Sequence, residues 1–153
     1  MEFNFQNLDG FIEDNKHYYP LKVFYEDTDA GEIVYHSNYL KYFERARSSL
    51  LNLLEISKFN LKEKDKVSIV VRKADVNWYK PAKLNDNLYI ETCLKYAKNS
   101  SITINQIAYR YKNDSKKSEL LVSGVIQIVA INSSFKVKRI SSVLNYNFFK
   151  NKL

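Results

Sequence analysis

One stretch decides the fold, and it reads Ser37-Asn-Tyr-Leu-Lys-Tyr-Phe-Glu-Arg-Ala-Arg-Ser-Ser-Leu-Leu-Asn-Leu-Leu-Glu55. Apolar side chains recur in it at spacings of three or four residues, at Tyr39, Phe43, Ala46, Leu50 and Leu54. This spacing places them on one face of an α-helix, which is widened by Leu40, Leu51 and Leu53. Ser37 or Asn38 can cap the helix start, because both side chains accept hydrogen bonds from free backbone N–H groups. The stretch therefore predicts a long amphipathic helix that ends between residues 55 and 57.

Strand patterns flank this helix on both sides. Segment 19–26 alternates Leu21, Val23 and Tyr25 with Lys22, Phe24 and Glu26, as a half-buried strand does. Runs rich in β-branched and aromatic residues follow the helix at 67–79, 88–96, 101–111 and 119–131, separated by polar or Pro-containing turns. A strand, one long helix and then four strands favour an α+β domain, in which one antiparallel sheet packs against a single helix.

The chain of 153 residues has the size of one domain and can bury a core without disulfides or metals. Hydrophobic residues make up 45% and charged residues 27% of it, a composition that excludes a disordered chain. No repeat and no Pro-, Gly- or Ser-rich linker divides it. We expect a loosely packed N-terminal arm at 1–18, the folded domain at 19–140 and a C-terminal tail at 141–153.

The sequence favours a soluble, cytoplasmic protein. Its single cysteine, Cys93, cannot form an internal disulfide, which is typical of a reducing compartment. Cys93 lies in an alternating, strand-like run, and we interpret it as a small buried apolar residue rather than a nucleophile. Residues 1–20 lack the apolar region of a signal peptide, and the longest apolar stretch, 125–131, is too short to span a bilayer.

The net charge of +7 leaves two interpretations open. It favours an anionic partner such as a nucleic acid, a membrane surface or a phosphorylated ligand, or it reflects a general enrichment in Lys, Asn, Ile and Tyr. No motif of the RRM, KH or zinc-finger type is present, so we predict no nucleic-acid partner.

Segment 25–39 carries the side chains best suited to chemistry. It combines carboxylates, an aromatic residue and His36 at the junction of the first strand and the helix start. A helix start offers unpaired N–H groups that bind an oxyanion, and a carboxylate beside it can attack a carbonyl carbon or activate water. The alternative is that Asp27 and Asp29 only stabilise turns by local hydrogen bonds. The chain has no Gly-rich phosphate loop, no G-x-S-x-G motif and no paired histidines, so we expect neither metal nor cofactor.

Three motifs together resemble the YbgC-type acyl-CoA thioesterases, within the 4-hydroxybenzoyl-CoA thioesterase group of hot-dog proteins. They are Tyr25-Glu-Asp-Thr-Asp-Ala-Gly31, Val34-Tyr-His-Ser-Asn-Tyr39 and Phe43-Glu-Arg-Ala-Arg47. The similarity continues through 70–73 and 79–84 and covers about 19–140. It implies a hot-dog fold, in which one antiparallel sheet wraps a long central helix, and hydrolysis of a CoA thioester.

The resemblance assigns roles to individual residues. The family's catalytic carboxylate falls on Asp29, its active-site histidine on His36 and its active-site tyrosine on Tyr25. Val34 and Tyr35 fall in the motif that contacts substrate. Glu32 stands where the family usually has a second glycine, which eases unusual backbone angles. The helix carboxylate Glu44 is interpreted as an ion-pair partner of Arg45 or Arg47.

The resemblance also implies partners. Basic residues near the 79–84 motif either bind the phosphates of CoA or form an ordinary solvated surface: Arg72, Lys73, Lys80 and Lys83. An acyl carrier protein is a second possible acyl donor. The resemblance implies an obligate oligomer, and the predicted sheet leaves one edge unpaired. Together these features predict a homodimer or homotetramer. A protein of this fold that binds an acyl thioester without turnover, as an adaptor, remains the alternative function.

Overall fold

The computed structural model describes residues 6–56, 58–63, 66–112 and 118–140. Its strands are β1 (Phe11–Glu13), β2 (Lys16–Lys22), β3 (Val67–Trp78), β4 (Asn87–Lys98), β5 (Ser101–Arg110), β6 (Glu119–Asn132) and β7 (Val137–Lys138). Its α-helices are α1 (Asn38–Leu53) and α2 (Lys58–Glu63), and single 3-10 turns lie at Gln6–Asp9 and Tyr25–Asp27. The predicted tail at 141–153 lies outside the described residues.

All strands join one antiparallel sheet in the order β1-β2-β4-β5-β6-β3, and β7 pairs with β6. The four strands predicted after the helix are confirmed, with ends shifted by up to two residues. Within the described residues, β3 pairs with β6 alone, so one side of this 12-residue strand is an open edge. The α+β prediction of one sheet against one long helix is confirmed.

Helix α1 supplies the centre of the core. Its predicted apolar stripe is buried at Tyr39, Phe43, Ala46, Leu50 and Leu54. Leu51 joins the stripe, whereas Leu40 is 41% exposed and does not. A glycine in β6 allows the close approach of helix and sheet, because a Cβ on Gly124 would lie 2.8 Å from Cε2 of Phe43.

The first strand and the N-terminal arm differ from the prediction. The strand β2 spans Lys16–Lys22 rather than 19–26, and Tyr25 lies in a 3-10 turn with 82% of its surface exposed. Residues 11–13 and 16–18 form a hairpin that continues the sheet, so this part of the arm is not loosely packed. The predicted strand end was wrong because the alternation of side chains in 19–26 continues past Lys22, where backbone pairing with β4 ends.

The predicted side-chain cap of α1 is wrong. Ser37 already has helical angles (φ −72°, ψ −19°) and its side chain makes no capping hydrogen bond, since such a bond requires a more extended backbone. The side chain of Asn38 instead donates from Nδ2 to the carbonyl oxygen of Asp27 at 2.9 Å. This bond ties the helix start to the preceding loop.

A polar network lies buried under α1. Gln106 is fully buried; its Nε2 donates to the Phe43 carbonyl at 3.0 Å and to Thr92 Oγ1 at 3.1 Å. Its Oε1 accepts a hydrogen bond from Arg47 Nη1 at 2.7 Å. Burial lowers the pKa of Arg47, and the charge of Glu44 partly offsets this effect. Glu44, which was expected to pair with Arg45 or Arg47, accepts a hydrogen bond from Ser48 Oγ at 2.5 Å.

His17 gives a pH-dependent contribution to stability. The side chain is fully buried beside Tyr19, and its Nε2–H donates to the Asp9 carbonyl at 2.7 Å. Burial lowers the pKa of His17, so the folded state binds a proton less tightly than the unfolded chain. The contribution is therefore complete above the ordinary pKa of about 6.5 and is lost as pH falls through the lowered folded value.

We therefore expect the urea midpoint of the wild type to fall between pH 7.5 and pH 5 by more than that of His17→Gln, which keeps a donor but does not titrate. Urea unfolding at both pH values, at one protein concentration, measures this difference. Equal pH dependence in the two proteins would contradict it.

No described helix is long and apolar enough to cross a lipid bilayer.

Candidate active site

The loop between β2 and α1 is held by its own backbone and side chains. The buried carboxylate of Asp27 accepts a hydrogen bond from the Phe24 N–H at 2.9 Å, and its carbonyl accepts from the Tyr35 N–H at 2.9 Å. Val34 is joined to Ala82 by a backbone hydrogen bond of 2.9 Å. Asp27 therefore orders the loop, and the loop is fixed against the segment after β3.

Asp29 is presented at the tip of this loop. Its N–H donates to the Ile33 carbonyl at 3.0 Å and its carbonyl accepts from the Glu32 N–H at 2.9 Å, which closes a tight turn. Its Oδ1 accepts from the Gly31 N–H at 2.8 Å, and a Cβ on Gly31 would lie 3.0 Å from that oxygen. The carboxylate is exposed, so it is held by the turn and is accessible to solvent.

The turn has a strained backbone at Glu32. Its φ of +59° lies in the left-handed region, which costs an L-residue with a side chain about 1–2 kcal/mol. The expectation that a glycine at this position would ease the backbone is confirmed. The structure therefore shows why Glu32 is an unusual residue here.

The start of α1 offers unpaired donors. The N–H of Asn38 donates to the Tyr35 carbonyl and that of Leu40 to the Ser37 carbonyl. Among the described residues no acceptor is found for the N–H groups of His36 and Ser37. These two groups lie at the positive end of the helix dipole and can bind an oxyanion.

Asp29 and His36 line one cleft of about 340 Å³. Its other walls are mainly apolar and aromatic: Ile33, Val34, Tyr39, Trp78, Tyr79, Lys80 and Pro81. Asp29 also borders a neighbouring cleft of about 750 Å³, together with Tyr25, Thr28, Ala30, Glu32, Lys83 and Leu84. A carboxylate, an imidazole and a helix start thus meet at one concave surface.

Residues 23–148 match the model of the thioesterase-like superfamily. The chain belongs to this superfamily. The acyl-CoA thioesterase YbgC of Haemophilus influenzae is 40% identical over 93 residues, which are 61% of this chain and 68% of that protein. The acyl-CoA thioester hydrolase YbgC of Escherichia coli is 38% identical over 105 residues, which are 68% of this chain and 78% of that protein. The resemblance to YbgC-type thioesterases is confirmed.

Solved structures of thioesterases share the fold. A probable thioesterase from Bartonella henselae superposes with a TM-score of 0.74 at 27% identity, covering 81% of this chain and 98% of that one. A variant of 4-hydroxybenzoyl-CoA thioesterase, solved with 4-hydroxybenzoyl-CoA, gives a TM-score of 0.77 at 14% identity, covering 91% and 99%. The predicted hot-dog fold is confirmed.

In this member of the superfamily, the predicted site residues lie in different places. Asp29, His36 and Val34 line the smaller cleft, and Tyr25 lines the larger cleft beside Asp29. Tyr35 is 47% exposed and its ring centroid lies 4.5 Å from that of His36. Arg72 and Lys73 are exposed on β3 and line neither cleft.

Lys80 is already engaged by a carboxylate. Its Nζ lies 2.7 Å from Glu119 Oε1, and Arg110 bridges Glu119 and Asp86 while donating to the Pro81 carbonyl at 2.6 Å. Hydrogen bonds from Lys80 and Arg110 lower the pKa of Glu119 to about 2. This ion network fixes the segment that forms one wall of the cleft, so Lys80 is less available for phosphates than the sequence suggested.

The aromatic side chains that form one wall of the smaller cleft were not predicted as site residues. Tyr39 was assigned to the core alone, yet its hydroxyl accepts from the Ala82 N–H at 3.0 Å and its ring reaches the cleft. Trp78 was assigned to a strand, but it donates from Nε1 to the His36 carbonyl at 3.2 Å. The signal was the adjacent aromatic pair, Trp78 and Tyr79, at the end of a strand and just before Pro81.

Proposed function

We propose that this protein hydrolyses an acyl-CoA thioester to the free acid and CoA, with Asp29 supplying the reactive carboxylate. The observation that carries the proposal is the meeting of Asp29 and His36 at one cleft beside the start of α1, where the N–H of His36 has no acceptor among the described residues. Membership of the thioesterase-like superfamily supports the same reaction. The alternative that Asp29 serves only as a turn residue explains its hydrogen bond to Gly31 but not the adjacent donors.

The geometry suits attack on a carbonyl. The carbonyl oxygen of the thioester binds at the N–H of His36, beside the start of α1, which stabilises the negative charge that develops there. Asp29 either attacks the carbonyl carbon, giving a mixed anhydride that water then hydrolyses, or removes a proton from the attacking water. Both routes break the carbon–sulfur bond, release the thiolate of CoA and consume one water. The turn through Glu32 and Gly31 fixes the position of Asp29 and offsets the weakness of a carboxylate as a base.

The remaining predicted residues act around this centre. His36 orients the substrate or the water, and Tyr25 donates a hydrogen bond near Asp29 from the adjoining cleft. Val34 and Tyr35 contact the acyl group beside His36. Arg72 and Lys73, exposed and basic on the open edge strand, bind the phosphates of CoA by charge-assisted hydrogen bonds.

Free-thiol release from a panel of short, long and aromatic acyl-CoAs tests the proposal. We expect the wild type to cleave at least one class and to cleave the matched acyl-pantetheine, which lacks the nucleotide phosphates, with a higher KM. Replacing Arg72 and Lys73 together by alanine should raise KM for the acyl-CoA and bring it closer to KM for the acyl-pantetheine. Thiol release from no member of the panel would refute CoA thioester hydrolysis and favour a carrier-protein substrate or binding without turnover.

The open sheet edge and the cysteine content support proposals for the oligomeric state and the cellular location. We infer a homo-oligomer, because the open edge of β3 presents unpaired N–H and C=O groups that a second copy can pair with. We infer a cytoplasmic location from the single cysteine. An acyl carrier protein remains the second acyl donor to be compared with CoA.

A further inference from the structure

The carbonyl of His36 has an unusual partner. His36 precedes Ser37, the N-cap residue of α1, so its carbonyl lies outside the hydrogen-bond ladder of the helix. Here the Leu40 N–H donates to the Ser37 carbonyl at 3.1 Å, which leaves the His36 carbonyl available. The indole Nε1–H of Trp78 donates to it at 3.2 Å from the last residue of β3.

This hydrogen bond acts on a rigid unit. The peptide that joins His36 to Ser37 is planar, so its carbonyl oxygen and its N–H turn together. The N–H of His36 itself has no acceptor among the described residues, and His36 lines the smaller cleft. A bond that fixes the His36 carbonyl therefore fixes the plane of this peptide and restrains the backbone of His36.

The ring of Trp78 makes a second contact with the same residue. Its centroid lies 5.9 Å from that of His36, with an interplanar angle of 80°. The tilted ring of Tyr35 also contacts the imidazole, at 4.5 Å between centroids and an interplanar angle of 56°. Trp78 and His36 both line the smaller cleft, so the indole braces the backbone and the side chain of His36 at the reacting surface.

We propose that Trp78 is a positioning residue that holds His36 in place, so that the unpaired His36 N–H is aimed at the thioester oxygen, through its hydrogen bond to the His36 carbonyl and its ring contact with the imidazole. This inference rests on the proposed thioesterase activity. Charge on that oxygen develops in the transition state, so the aimed N–H stabilises the transition state more than the bound substrate. The loss of the indole N–H therefore lowers kcat and leaves KM nearly unchanged.

Trp78 is the chain's single tryptophan, so its indole N–H can be replaced without changing any other residue. Biosynthetic replacement of tryptophan by benzothienylalanine puts sulfur in place of N–H at this position alone and keeps the ring. Removing one such hydrogen bond should lower kcat about 3- to 10-fold, with KM within two-fold and the thermal unfolding midpoint unchanged. Trp78→Phe, which also shrinks the ring, should lose at least as much kcat. Tyr111→Phe, at an aromatic residue that is 55% exposed outside both clefts, is the matched control and should retain wild-type kcat.

The indole N–H resonance gives a readout that does not depend on turnover. With one tryptophan, a single indole peak is expected in the ¹H–¹⁵N spectrum, and its hydrogen bond should slow exchange with solvent relative to free indole. Fast exchange, or a kcat that stays within two-fold of wild type without the N–H, would overturn the inference. A fall in kcat matched by an equal rise in KM would overturn it as well. If the wild type releases no thiol from any acyl-CoA, the proposed function itself fails, which is a separate result.

Discussion

Asp29→Asn is expected to lower kcat for thiol release by about 10²- to 10⁴-fold, the range that a positioned acid–base group contributes. An amide can neither attack a carbonyl as a carboxylate does nor remove a proton from water. The change preserves shape, and the amide oxygen can still accept the Gly31 N–H that Asp29 Oδ1 accepts at 2.8 Å. The loss should therefore appear in kcat, with an unchanged unfolding midpoint.

Glu26→Gln is the matched control for this experiment. Glu26 is an exposed carboxylate in the 3-10 turn just before Asp29, and it lines neither cleft. The same loss of one negative charge there should leave kcat within two-fold of wild type. Full activity of Asp29→Asn would eliminate the central catalytic assignment, and an equal loss in both variants would point to net charge instead of Asp29.

Phe43→Ala should lower the free energy of unfolding by about 3–5 kcal/mol, as truncation of a buried aromatic side chain commonly does. Phe43 is fully buried, lies against Gly124, and its carbonyl accepts from Gln106. Truncation removes apolar contacts and leaves a cavity between α1 and the sheet. Urea unfolding at one fixed protein concentration measures the change. Leu40→Ala, on the same helix at a position 41% exposed, should cost less than about 1 kcal/mol.

A double-mutant cycle sharpens this test. Gly124→Ala alone should destabilise, because its Cβ would lie 2.8 Å from Cε2 of Phe43 and overpacking commonly costs about 1–3 kcal/mol. In the Phe43→Ala background that clash is absent, so the added methyl group should cost much less. Additive losses would show that Gly124 does not accommodate Phe43.

The helix was predictable because its signal is local. The spacing of Tyr39, Phe43 and Ala46 repeats with the period of an α-helix, and all three side chains are buried. The strands after it were predictable for the same reason, since their β-branched and aromatic runs end at polar turns. The first strand was misplaced because alternation continues to Tyr25, while pairing with β4 ends at Lys22.

The site was predictable in part. The motif around Asp29 and His36 identified two residues that line one cleft, because they lie on a loop and helix start that are adjacent in sequence. The motif did not indicate that Lys80 would be held by Glu119. That ion pair joins β6 to the segment after β3, and sequence spacing gives no information about such a pairing.

The sequence by itself determined the helix, the strands and the position of the reactive loop, because burial periodicity and turn chemistry act between neighbours a few residues apart. Only the tertiary structure decided which side chains form the walls of the cleft. Trp78 reaches the His36 carbonyl across 42 positions of the chain, where the backbone bond between Val34 and Ala82 holds the loop before α1 against the segment after β3. Contacts of this kind depend on the registers of several strands at once, and no local pattern contains them.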